Sequence, residues 1–208
     1  LGTYVNVQTN SYIQGISGIY EMMNVAEQLS RAPQLAVTDT DFGKTKQQVA
    51  VEMRNYMLQT LKEMVGQWAD VYTAQFFWYN SQYDSLFGFP QGFGSIQNFN
   101  DHHFHYGYFL RTAAAIGRYD KTWLTNYMPL IDQIRRDVAT YDRNDTQYPF
   151  LREFSPFYGH NWADGTGQDG QNQESVSEAM NFAYGMIELG QILGDTNLRD
   201  MGVYMFAE

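Results

Sequence analysis

In residues 100–116, a cluster of polar side chains directly precedes a stretch that has to be buried. The first ten, residues 100–109, contain one aspartate, three of the four histidines in the chain and four aromatic residues. An apolar run of helical character follows at once, over 110–116. Burying a carboxyl and imidazoles against a core is costly unless they are paired or used. The stretch therefore predicts a helix whose N-terminal end presents an acid and a histidine together.

Asp101 and His105 are the acid and the histidine that this helix would present. They are four positions apart, so on a helix they lie on one face. Tyr108 and Thr112 continue that face. Asp101 would lie near the helix N-terminus, where the helix dipole lowers the pKa of a carboxyl. Burial among aromatic rings, together with neighbouring carboxylates, has to outweigh the dipole if Asp101 is to act as an acid.

The histidines also have a metal-binding interpretation. Asp101, His103 and His105 together offer ligands that a transition metal accepts. His103 and His105 would share a face in a strand, but in the predicted helix they point about 200° apart. No H-E-x-x-H pattern or cysteine-based site accompanies them. We therefore expect no metal, and packing in the core or behind the site is the leading interpretation of His102 and His103.

Apolar residues recur with helical spacing in much of the rest of the chain. The predicted helices cover residues 11–31, 49–65, 101–117, 123–141, 174–193 and 197–208. Two long segments rich in aromatics, Gly and Pro separate some of them, at 80–100 and 142–170, and a short strand is expected near 86–89. Helices joined by loops that gather aromatics and acids at one end predict an all-α domain. An α/α toroid and a plain helical bundle fit this periodicity equally well.

Composition excludes several classes of partner. The net charge is −10, and the 13 Lys and Arg residues are scattered, so nucleic acid is not expected as a partner. No apolar run reaches the ~18 residues of a membrane span, so no membrane association is expected. Cysteine is absent, which excludes disulfides and thiol catalysis. The aromatic content of 16% is compatible both with a sugar-binding surface and with a Tyr-rich core. A start without Met or a basic leader predicts a processed or excised piece.

A second polar cluster, residues 171–178, precedes the predicted helix over 174–193. Glu174 and Glu178 are four positions apart, and on a helix they would share a face with Asn181. Ser175 and Glu178 also match a capping box, in which both residues serve only the helix end. The alternative is chemistry, because glycoside hydrolysis needs two carboxyls in opposite protonation states. Spacing alone leaves both interpretations open.

Three segments in order resemble glycoside hydrolase family 81, a family of endo-β-1,3-glucanases. Residues 100–109 (NDHHFHYGYF) and 172–179 (NQESVSEA) resemble its two signature stretches. Residues 159–163 (GHNWA) resemble a third segment, which usually reads GHSWA. The resemblance runs through most of the chain and is clearest over 78–194. Asn161 and Val176 each stand where the family usually has Ser.

The resemblance implies an (α/α)6 barrel and an inverting mechanism. Carried over residue by residue, Asp101 matches the general acid and Glu178 the general base. Glu174 matches a second essential carboxylate, and His105 an active-site histidine. Family members are several times longer and carry an N-terminal β-sandwich that is absent here. We therefore expect residues 1–208 to be one α-helical catalytic segment, an incomplete toroid whose edge is covered by the rest of the barrel or by self-association.

On this hypothesis the chain cleaves a laminarin-like β-1,3-glucan without a cofactor. The residues expected to bind the glucan are aromatic or polar: Trp78, Tyr106, Tyr108, His160, Trp162 and Asn181. The family resemblance implies a secreted protein, although the chain shows no signal peptide. Two alternatives are a glucan-binding module without turnover and a structural helical domain in which the polar clusters are caps and core partners.

Overall fold

Helices account for most of the residues that the computed structural model describes, which are 44–70, 74–167 and 172–208 with positions 24, 40, 41 and 72. Except for position 24, which is helical, the helix predicted over 11–31 lies outside the described residues. The five helices among them are α1 Lys46–Ala69, α2 His102–Gly117, α3 Lys121–Ala139, α4 Val176–Leu193 and α5 Thr196–Ala207. The four predicted helices after residue 100 are confirmed. Helix α1 continues beyond its predicted end, through Gly66 to Ala69.

Side-chain caps and a left-handed glycine set several helix ends. Asp120 accepts a hydrogen bond from Trp123 N at the start of α3, and Asp195 accepts one from Leu198 N at the start of α5. Helix α4 ends at Gly194, whose φ of 73° is a left-handed conformation that glycine adopts without steric cost. Since α4 and α5 are separated by only two residues, this cap also turns the chain from one helix into the next.

Within the described residues the strands form three short antiparallel pairs. They are β1 Thr40–Asp41 with β2 Lys44–Thr45, β3 Phe76–Asn80 with β4 Ser85–Phe89, and β5 Phe154–Ser155 with β6 His160–Asn161. The strand predicted near 86–89 is confirmed as β4. Its partner β3 has no predicted counterpart, because its sequence FFWYN is aromatic almost throughout and lacks the polar alternation of a half-buried strand.

Helix α2 is the centre of the described structure. Every residue in it except Arg111 is buried, as expected of a helix that is apolar on all sides. It packs against α3 and α4, and α4 packs in turn against α5. The expected all-α class is therefore correct for most of the described residues, with the three strand pairs added at the loops.

Glycines allow α2 and α4 to pack backbone against backbone. A Cβ at Gly107 would lie 2.7 Å from Phe182 N, and a Cβ at Gly185 would lie 2.7 Å from Leu110 Cβ. This close approach brings the starts of the two helices side by side. The described helices include none with the length and apolar character needed to span a bilayer.

Candidate active site

A small cleft, open to solvent, lies at the N-terminal ends of α2 and α4. Four of its lining residues are those predicted as catalytic, and two are phenylalanines: Asp101, His105, Glu174, Glu178, Phe93 and Phe104. The structure therefore brings together residues that are about seventy positions apart in the sequence. Three carboxyl groups and one imidazole converge on one open space.

Asp101 is the residue immediately before α2, but its side chain does not cap that helix. Its backbone is left-handed, with φ of 61°, and the structure shows no hydrogen bond from its carboxyl to the helix end. A left-handed conformation costs a non-glycine residue about 1–2 kcal/mol. Asp101 N donates to Ala163 O at 2.9 Å, and Asp101 O accepts from His105 N at 3.0 Å, so the main chain holds this conformation. The carboxyl is thereby left to face the cleft.

Burial raises the pKa of Asp101 to about 7, and the neighbouring carboxylates Glu174, Glu153 and Glu178 add to the effect. His102 acts in the opposite direction and is outweighed. The side chain is nearly enclosed, and within the described residues Oδ1 has no hydrogen-bond partner. Burial and like charge thus prevail over the helix dipole. With this pKa the carboxyl is about half protonated at pH 7 and mostly protonated below it, the state that a general acid needs.

His105 is a neutral imidazole in this environment. Burial lowers its pKa to about 3, and the proximity of His102 contributes, while Glu178 acts in the opposite direction. The histidine therefore brings no charge to the cleft at ordinary pH. Its contribution is a hydrogen-bonding ring beside the acid, with the Phe93 ring 6.1 Å away between centroids.

The two glutamates reach the cleft by a route that helical spacing did not predict. Glu174 lies outside α4, which begins at Val176, and its backbone is left-handed with φ of 60°. Its N–H donates to Asn172 Oδ1 at 2.9 Å, which fixes the turn. The predicted helix face shared by Glu174, Glu178 and Asn181 is therefore wrong, because the turn before α4, not helical spacing, aims Glu174 into the cleft.

The capping-box interpretation of Ser175 and Glu178 is also wrong. Ser175 precedes α4 but makes no side-chain cap hydrogen bond. Glu178 instead accepts a hydrogen bond from the Tyr108 hydroxyl, with 2.5 Å between Oη and Oε1. A long-range contact from α2 has replaced the local cap, and it holds Glu178 at the cleft.

Main-chain hydrogen bonds join the three segments that carry the family resemblance. Besides the bond from Asp101 N to Ala163 O, Ala163 N donates to Asn172 O at 2.7 Å. Residues 100–109, 159–163 and 172–179 therefore meet at the cleft as one unit.

His160 and Trp162 lie next to the cleft without lining it. Their rings and that of Tyr158 form a half-exposed aromatic group, with centroids 5.9 to 6.1 Å apart. Trp162 directly precedes Ala163, whose carbonyl holds Asp101. The group therefore stands beside Asp101.

The other predicted glucan contacts lie away from the cleft lining. Tyr106 is buried and donates to Leu86 O at 2.6 Å, and burial raises its pKa well above the ordinary value. Trp78 packs between Phe76 and Phe87 on the β3–β4 pair. Asn181 accepts from Arg111 and donates to Ser177 O.

Phe93 is a cleft residue that the sequence did not single out. It is 60% exposed and has φ of 48°, so a strained backbone displays its ring at the cleft. Trp78 is the residue that the sequence analysis named from this part of the chain, and it is Phe93 that lines the cleft. The available signal was an aromatic between two glycines just before residues 100–109.

Behind the cleft, His102 belongs to a buried charge cluster. Its Nδ1 lies 2.7 Å from Asp137 Oδ2 and its Nε2 lies 2.8 Å from Ser95 O, which agrees with the packing interpretation. Donor atoms of His102, Asp137 and Glu153 fall within 4.8 Å of one another. Arg152 supplies the positive charge there, with Nη2 at 3.0 Å from His102 Nδ1 and 3.1 Å from Glu153 Oε1.

Comparison with known proteins identifies similar sequences. Residues 5–207 match the model of the "Glycosyl hydrolase family 81 C-terminal domain". The glucan endo-1,3-beta-D-glucosidase of Thermobifida fusca is 45% identical over 160 residues, which are 73% of this chain and 21% of that protein. The primary septum glucan endo-1,3-beta-D-glucosidase of Schizosaccharomyces pombe is 41% identical over 121 residues, which are 56% of this chain and 11% of that protein.

A solved structure is also similar. It is a variant of a family 81 glycoside hydrolase from Clostridium thermocellum, with a TM-score of 0.74 and 34% sequence identity. The match covers 92% of this chain and 29% of that chain. The chain thus spans roughly a tenth to under a third of the lengths of these relatives.

Proposed function

Because the chain belongs to glycoside hydrolase family 81, we propose that it carries the acid and the base of an endo-acting β-1,3-glucanase with an inverting mechanism. The observation that carries this proposal is the cleft in which Asp101, still protonated near neutral pH, faces Glu174 and Glu178. Two relatives named as glucan endo-1,3-beta-D-glucosidases support a β-1,3-glucan as the substrate.

The proposed reaction is a single displacement at the anomeric carbon. Asp101 gives its proton to the glycosidic oxygen as the bond to the leaving sugar breaks. Glu178 takes a proton from a water that attacks the opposite face of the sugar ring. Inverting enzymes hold their two carboxyls roughly 6.5–9.5 Å apart to leave room for this water. Glu174 would position the water or tune Glu178.

Neutral side chains around the carboxyls would bind the sugar. His105 offers an uncharged ring nitrogen, and Phe93 and Phe104 offer apolar faces to the flat side of a glucose unit. The aromatic group of His160 and Trp162 would extend this surface to the next sugar. No step of this mechanism uses a metal or a cofactor, because two carboxyls supply both proton transfers.

The larger assembly is part of the proposal. The described helices would be one section of an (α/α)6 toroid, with the remaining helices supplied by the rest of a longer chain or by self-association. A glucan polymer is too large to enter a cell intact, so we place the activity outside the cytoplasm, on extracellular or cell-wall glucan.

The test is hydrolysis of laminarin by this chain, followed by proton NMR of the first products. Inversion at a β-linkage predicts that the α-anomer appears first and then mutarotates. A β-anomer as the first product would contradict inversion. A soluble β-1,4-glucan serves as the control substrate and should stay intact. Laminarin binding without hydrolysis would favour the second candidate, a glucan-binding module.

A further inference from the structure

The first turn of α2 is capped by a residue from another part of the chain. The first N–H groups of a helix have no partner within the helix, and a side chain just before it usually supplies one. Asp101 does not do so. Instead, Glu153 Oε2 accepts from the backbone N–H of His103 at 2.9 Å and lies 3.2 Å from His103 Nδ1.

Glu153 is enclosed by the core and paired with an arginine. It is fully buried, and Oε1 lies 3.1 Å from Arg152 Nη2. His102 Nδ1 also lies near it, 3.8 Å from Oε1, and Glu153 contributes to raising the pKa of Tyr106 as well as that of Asp101. Its own main chain links two elements of the site, because Glu153 N donates to Val138 O and Glu153 O accepts from Trp162 N, each at 3.0 Å.

Glu153 also faces the Asp101 carboxyl electrostatically. Burial and Glu174 have the larger effects on the Asp101 pKa, and Glu153 raises it further, ahead of Glu178. His102 has the opposite effect and lowers the pKa of Asp101. Glu153 does not line the cleft, so any influence on the reaction passes through Asp101.

We propose that Glu153 is a positioning residue for the acid: it caps α2 in place of Asp101 and so leaves the Asp101 carboxyl turned to the cleft. Only the role of Asp101 as the acid rests on the proposed function, since the cap by Glu153 is a feature of the fold. An ordinary cap by Asp101 would spend its carboxyl on the helix N–H groups. Glu153, which is buried and paired with Arg152, instead accepts the hydrogen bond from the first turn of α2.

Two substitutions separate the cap from the charge. Glu153→Gln keeps an oxygen that can accept from His103 N–H but removes the charge, so the pKa of Asp101 should fall below about 7. Glu153→Asp keeps the charge but shortens the side chain, so the pKa should stay raised while the His103 amide loses protection from hydrogen exchange. The readout is carbon-13 NMR of the Asp101 carboxyl, identified against Asp101→Asn, with exchange of the His103 amide.

Glu188→Gln is the matched control, because Glu188 is also a buried carboxylate and is paired with Arg118. It lies in the C-terminal half of α4, away from the cleft lining. This substitution should leave the pKa of Asp101 at its wild-type value. An unchanged pKa in folded Glu153→Gln would overturn the electrostatic part of the proposal. If Glu153→Gln does not fold, exchange in the wild-type chain decides: a protected His103 amide supports the cap, and a rapidly exchanging one overturns it. None of these readouts needs glucan, so they stand apart from failure of the proposed function.

Discussion

Asp101→Asn is expected to reduce laminarin hydrolysis by roughly 10²–10⁴-fold, the usual contribution of a general acid. The amide keeps the shape of the side chain but cannot supply the proton that the leaving sugar needs. Binding of laminarin should be retained, because the cleft lining is otherwise unchanged. Reducing-sugar release and binding are measured side by side.

Asp195→Asn is the control for this substitution. Asp195 caps α5, away from the cleft lining, and Asn caps a helix about as well as Asp. Its hydrolysis rate should match that of the wild type. A rate for Asp101→Asn within a few-fold of the wild type would remove Asp101 from the role of acid.

Asp101→Asn should also stabilise the fold relative to the wild type at mildly alkaline pH. The pKa of Asp101 is about 7 in the folded chain and ordinarily 3.8. Between these values the native state binds more protons than the unfolded state, so this group makes stability fall as pH rises. Three pKa units correspond to about 4 kcal/mol at pH 8. Urea unfolding should show Asp101→Asn gaining on the wild type between pH 4 and pH 8, whereas a constant difference would mean an ordinary pKa.

Glu178→Ala is the second substitution with a large expected effect, again about 10²–10⁴-fold on hydrolysis. Removing the carboxylate removes the group that takes a proton from the attacking water. Azide or formate, small enough to enter the space left by the side chain, should restore part of the activity. Azide attack on the face opposite the leaving group should give an α-glycosyl azide.

Glu174→Ala is the comparison that assigns the base. It should lose activity without rescue by azide, since Glu174 is proposed to position the water or tune Glu178. Rescue of Glu174→Ala together with failure to rescue Glu178→Ala would exchange the two roles. The hydrogen bond from Tyr108 to Glu178 favours the assignment made here, because it orients that carboxylate within the cleft.

Sequence spacing was most informative where the relevant contacts are local. The i, i+4 relation of Asp101 and His105 survives in the structure as a helical hydrogen bond, and both side chains line the cleft. The same reasoning failed for Glu174, because a left-handed residue before the helix cannot be recognised from spacing. It also could not distinguish the buried Tyr106 from a cleft residue, since both positions are aromatic and follow the same helical pattern.

Contacts between segments that are distant in the chain could not be predicted from the sequence. Glu153, Arg152 and Asp137 surround His102 from 35 to 51 positions away, and nothing in their local patterns marks them as partners. The family resemblance located the segments that meet at the cleft but not the residues that support them. Strand β3 was missed for a related reason, because packing against the core, as Phe77 does on Trp68 and Phe109, decides its structure.

The central claim is that the fold keeps the Asp101 carboxyl protonated near neutral pH, facing two glutamates. The most direct test is the titration of the Asp101 side-chain carboxyl in the wild-type chain by carbon-13 NMR, assigned by the signal lost in Asp101→Asn. This account predicts a pKa of about 7. A pKa near the ordinary 3.8 would mean that Asp101 is ionised at working pH, and it would contradict the assignment of this residue as the acid.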